Sequence, residues 1–154
     1  MKRLLLLSVL GLVACSSAPT TTGTTWQVTE LYDGSDSPAP LGESVAGSLL
    51  LTFGTSSLNG ETGCGQFQAS TSYRDADNIQ DAEYVEIGEL SFEDAECTGQ
   101  AQHAHDSLVA VLTPGEYHVR HDASDMIAIM HPESEGELHP TGLQLLAETP
   151  REAE

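Results

Sequence analysis

Residues 58–67, Leu-Asn-Gly-Glu-Thr-Gly-Cys-Gly-Gln-Phe, constrain the fold of this chain more than any other stretch. Cys64 sits between Gly63 and Gly65, and Gly60 lies just upstream. Such glycines let a backbone take positive φ or pass close against a neighbour. A sheet that bends there needs that freedom, and so does a cysteine that must reach a partner. The partner expected is Cys97, which would pin the bend to the segment that follows it.

That segment is patterned as a helix. Over 100–112, Ala101, Ala104, Leu108, Val111 and Leu112 form one apolar stripe at helical spacing. Thr98 stands at the N-cap position, and Pro114-Gly115 stops the helix. The other apolar segments read as strands: 26–32, 48–53, 66–73, 84–90, 117–121, 126–130 and 143–147. Trp26, Val28 and Glu30 are placed on one side of the first, and Leu58-Asn59-Gly60 reads as a hairpin closure. Residues 33–42 and 133–142 read as loop and turn, and 74–83 as an acidic loop. Strands outnumbering a single helix predict an α+β domain. Its sheet would be curved, mainly antiparallel and half-barrel-like, with the helix packed across its open face.

The length of 154 residues suits one domain with appendages. Asp and Glu number 24 against 5 Lys and Arg. Two of those five, Lys2 and Arg3, fall in the leader described next, which leaves Arg74, Arg120 and Arg151 and no lysine. Such a surface repels nucleic acid and anionic lipid, so no nucleic-acid partner is expected. An acidic coat of this kind keeps a protein soluble, and adaptation to high salt produces the same composition.

Met1-Lys2-Arg3 is a positive start, followed by an apolar run of about ten residues, 4–13. A bilayer span needs about 20 residues, so the run reads as an export signal. It ends in Leu12-Val13-Ala14-Cys15, which resembles the bacterial lipobox. That resemblance implies cleavage after Ala14 and acylation of Cys15 (palmitate among the chains), a stable mooring once two or more chains are present. Ser16 after the cysteine implies the outer membrane, periplasmic side, under enterobacterial-type sorting. The expected organisation is a signal peptide at 1–14, a Ser/Thr-rich tether at 15–24, a domain at 25–148 and a tail at 149–154.

Gly60-x-x-Gly63-Cys64, the strand after it, Ile87-Gly88-Glu89-Leu90, then Cys97, a helix and further strands resemble, in order and spacing, a META domain, the domain of HslJ-like bacterial lipoproteins. The resemblance covers about 25–148. It marks Gly60, Gly63, Cys64 and Gly65 as the motif and implies a mostly antiparallel sheet with one helix. It also implies a link to envelope stress response and antibiotic tolerance. Where the family usually carries asparagine after the first cysteine, this chain has Gly65. Where it commonly carries a helix glutamate, His105 lies nearby.

With Cys15 acylated, Cys64 and Cys97 remain as a single pair, expected to be oxidised in an exported protein. Neither has the Cys-x-x-Cys pattern or a basic neighbour that would make it redox-active. The six histidines, His103, His105, His118, His121, His131 and His139, show no ligand spacing, so no metal is expected. Asp75-x-Asp77-Asn78 fails as a calcium loop at Ile79. Residues 42–47 are one residue too long for a serine-hydrolase elbow. The expectation is therefore a monomeric, lipid-anchored envelope protein without cofactor or catalytic residues. It would bind or support a partner, such as another envelope protein, through a sheet edge or the helix–sheet groove. The alternative is a carrier of a small apolar ligand, in a pocket lined by Leu49, Leu51, Phe53, Leu108 and Met130. A hydrolase ranks behind both.

Overall fold

A computed structural model describes residues 23–93, 96–134 and 136–148. The leader, Cys15, the tether up to residue 22 and the tail at 149–154 lie outside the described residues. The strands are β1 (Thr25–Asp33), β2 (Leu49–Phe53), β3 (Ser57–Thr62), β4 (Gln66–Tyr73), β5 (Tyr84–Ile87), β6 (Ser91–Phe92), β7 (Gly115–Ala123), β8 (Met126–Met130) and β9 (Thr141–Ala147). One helix, α1 (Gly99–Val111), and a single 3-10 turn (Pro132–Ser134) complete the described elements.

The sheet is antiparallel, in the order β3-β2-β1-β9-β8-β7-β5-β4, and β3 pairs with β4 to close eight strands into a barrel. β6 continues the line of β5 along β4. Closure replaces the expected half-barrel, and the cause lies in 57–62. Leu58-Asn59-Gly60 is strand, not hairpin turn. Its residues alternate between exposed and buried, and the reversal occurs at 63–65. A full strand there gives β2 and β4 a common neighbour, and the sheet has no open face left.

Period-two patterning fills the interior. Leu49, Leu51 and Phe53 of β2, Val85 and Ile87 of β5, Ile127 and Ile129 of β8, and Leu143 and Leu145 of β9 all point inward. β1 departs from simple alternation. A bulge between Val28 and Glu30 lets Trp26, Val28 and Leu31 all face the core. Glu30 is thereby turned outward, away from the side on which the sequence placed it. Burying the Trp26 ring stabilises by about 4–6 kcal/mol. Its indole N–H has no acceptor among the described residues, a cost of about 1–3 kcal/mol that this burial exceeds.

Both ends of the barrel are plugged. α1 presents Ala104, Leu108 and Val111 to the core at one end. Thr98 occupies the N-cap with extended backbone but makes no side-chain cap bond. The acidic loop 74–83 closes the other end. It buries Ile79 and Ala82, and it bonds to Thr24 through Gln80 and to His121 through the Ala82 carbonyl. Reading that loop by its charge alone misses this anchoring. Among the described residues no helix is long and apolar enough to cross a membrane.

Candidate functional site: the stapled bend and the outer groove

The β3–β4 turn and the start of α1 are joined covalently. Cys64 and Cys97 form a disulfide with a Cα–Cα distance of 5.6 Å across a sequence separation of 33. The turn is built on Gly63, at φ +80°, where a residue with a Cβ would be strained. At Gly60 the constraint is space, because an added Cβ would collide with the Phe67 ring and come within 2.8 Å of the Leu50 carbonyl. Gly65 donates its N–H to the Thr62 hydroxyl (3.2 Å), and its carbonyl accepts the Thr62 N–H (2.9 Å). The motif glycines therefore have separate jobs.

Thr62 is fully buried and acts as the hub of the turn. Its hydroxyl also accepts the Cys64 N–H at 3.3 Å and shares a 2.8 Å hydrogen bond with His105 Nδ1 from α1. Phe92 packs between Phe67 and His105, with ring centroids 5.2 and 5.9 Å away. A sulfur bridge, a polar contact and an aromatic stack thus hold α1 against the turn. His105 does this structural work where the resembled family commonly has glutamate.

The histidines are dispersed. His121 bonds the Ala82 carbonyl (3.0 Å), and His131 bonds the Val111 carbonyl (3.2 Å) beneath Tyr117. His118 stacks on Tyr84, His139 lies 3.4 Å from Asp36, and His103 is exposed. Among the described residues no three His, Cys, Asp or Glu side chains are grouped to hold a metal. Leu49, Leu51, Phe53, Leu108 and Met130, named for an apolar pocket, are all 5% exposed or less. The first four belong to one packed core, whereas Met130 is buried outside it, and none of the five lines the concavity described next.

That concavity is a groove of about 390 Å³ on the outer face of β1, β2, β3, β4 and β6. Strand register aligns its side chains in two rows across the strands. One row runs Thr25, Thr52, Asn59, Gln68, Ser91. The other runs Leu50, Glu61, Gln66, Glu93. No motif marks these residues in the sequence; their one signal is that they occupy the alternate positions to Leu51, Leu58 and Phe67. Only the strand order makes them neighbours.

The barrel's remaining outer face is different in kind. There Arg120 makes two bonds to Asp122, at 2.6 and 3.0 Å, Arg74 pairs with Glu116 and covers the Tyr84 ring, and Tyr32 bonds Glu30. The hydrogen bond to Arg120 holds the Asp122 carboxyl below its usual range. Burial, and then Glu30, push the Tyr32 phenol up to about 12. Burial also raises the phenols of Tyr73 and Tyr117. A group whose folded-state pKa is raised contributes its full stability below its unfolded value, here near 10, and loses it as pH rises through the folded value. Stability is therefore expected to fall steeply from about pH 10 to about 12. Unfolding midpoints measured from pH 8 upward should fall less for Tyr32→Phe than for the parent; parallel curves would refute the assignment.

No known family model matches the chain, and no curated protein matches it. Among solved structures, the NMR structure of the protein from Burkholderia xenovorans matches with a TM-score of 0.58 at 16% identity, over 82% of each chain. At that identity the likeness shows a shared fold, a closed antiparallel barrel with one helix.

Proposed function

We propose that this chain is a lipid-anchored protein of the bacterial cell envelope, META-like in its domain, which binds a partner or ligand and performs no chemistry of its own. The observation that carries the reading is the Cys64–Cys97 bridge. Such a bond persists in oxidising, exported compartments and is rare in the cytosol. It agrees with the export signal and lipobox at residues 1–15, which lie outside the described residues. The arrangement of motif glycines, bridge, helix and strands supports the META-like reading.

Metabolic labelling with palmitate tests the mooring. The protein should take up label and fractionate with membranes, and Cys15→Ser should abolish both. An unlabelled, freely soluble parent protein would overturn the reading. Deleting the gene and challenging cells with heat and hydrophobic antibiotics tests the stress role, and indifference to both would remove it.

A further inference from the structure

The outer groove is chemically set apart from the rest of the barrel. Asn59, Gln66 and Gln68 make no side-chain hydrogen bond among the described residues, whereas Arg74, Arg120 and Tyr32, outside the groove, are all paired. An amide offers donors and an acceptor together, and a hydroxyl does the same. A lining of amides and hydroxyls therefore matches a ligand whose own groups both donate and accept, which is the character of sugar hydroxyls. The lining contains Glu61 and Glu93 and no cationic residue, so anionic ligands are disfavoured and amino groups are favoured.

The spacing agrees with the chemistry. Neighbouring strands lie about 4.8 Å apart, so the row from Thr25 to Ser91 spans about 19 Å in four steps. One step is close to the length of one pyranose unit in an extended chain. Glu61 and Glu93 stand two steps apart, with Gln66 between them. Phe92, its ring held between Phe67 and His105, closes one side of the groove. The volume of about 390 Å³ falls at the small end of ligand clefts and fits about two rings of a longer chain.

We propose that this groove binds a saccharide chain laid across the strands, with Asn59, Gln66 and Gln68 bonding its hydroxyls and Glu61 and Glu93 selecting for amino groups. The proposal rests on the reading of the domain as a binding domain and names its ligand class.

The test is titration of the purified protein with three probes, followed by NMR of the side-chain amides. The probes are a glucosamine hexasaccharide, its N-acetylated counterpart and spermidine. Both saccharides should shift the amide signals of Asn59, Gln66 and Gln68, the free-amine form at lower concentration. Gln68→Ala and Asn59→Ala should each weaken both saccharides about tenfold. Glu61→Gln should weaken the free-amine saccharide and leave the acetylated one unchanged. These side chains face solvent, so melting midpoints should not move and a loss of binding is not a loss of fold. Saccharide shifts that avoid the groove, or an equal response to spermidine with none to the acetylated chain, would overturn the proposal. Palmitate labelling of Cys15 is read separately, so failure of the groove and failure of the mooring are told apart.

Discussion

Reducing the Cys64–Cys97 bridge should lower the stability of the domain by about 3–4 kcal/mol. The bridge closes a loop with a sequence separation of 33, and the chain-entropy model assigns about that much to a loop of this length. For a domain of this size the loss should lower the unfolding midpoint by about 10–15 °C. The native state should survive, because α1 keeps its hydrogen bond from His105 to Thr62, its stack on Phe92 and its buried stripe. Thermal unfolding with and without reductant measures the effect, and the Cys64→Ala/Cys97→Ala double variant should reproduce it. Equal midpoints would mean that the staple adds nothing beyond the docking of the helix. Exposure to a reducing compartment should weaken the protein in the same way.

Leu108→Ala should cost about 2–5 kcal/mol, as large a loss as the staple itself. Leu108 is fully buried at the mouth of the barrel, where α1 meets β1, β3 and β9. Truncation there removes contacts from a rigid ring of strands that cannot collapse to fill the space. Leu108→Met, which conserves volume, should cost less than about 1.5 kcal/mol. Denaturant unfolding separates the two, and an alanine variant as stable as the methionine one would show that the helix only rests on the barrel. Because the bridge and Leu108 hold the same helix, their combined loss should depart from the simple sum.

The two devices act on α1 by different physics, and they differed in how readable they were. Leu108 stood out by spacing, since Ala104, Leu108 and Val111 repeat at helical intervals and all three are buried. The bend stood out by its glycines and its cysteine. The Thr62–His105 contact, which joins them, did not, because threonine and histidine carry no periodic signal and are 43 residues apart. Ile79 was hidden for a similar reason: a single apolar residue among acids reads as loop, and only its position at the open end of the barrel makes it a plug. Gln66 and Gln68 were readable as outward-facing by alternation with Phe67, whereas Asn59, in a segment that read as a turn, was not.

From its own letters, this chain determined which side of a strand such as β5 faces inward, where the helix begins and stops, and that two cysteines follow Cys15. Those properties follow from local periodicity and composition, which act over a few residues. Closure of the barrel, the β1 bulge that turns Leu31 inward and Glu30 outward, and the polar rows of the groove were decided by the tertiary structure. Each depends on which strand lies beside which. β1, for example, pairs with β9 from the far end of the domain, Trp26 against Ala147. Alternation tells a residue which way to face, but a neighbour from so distant a part of the chain is chosen by the packing of the whole barrel.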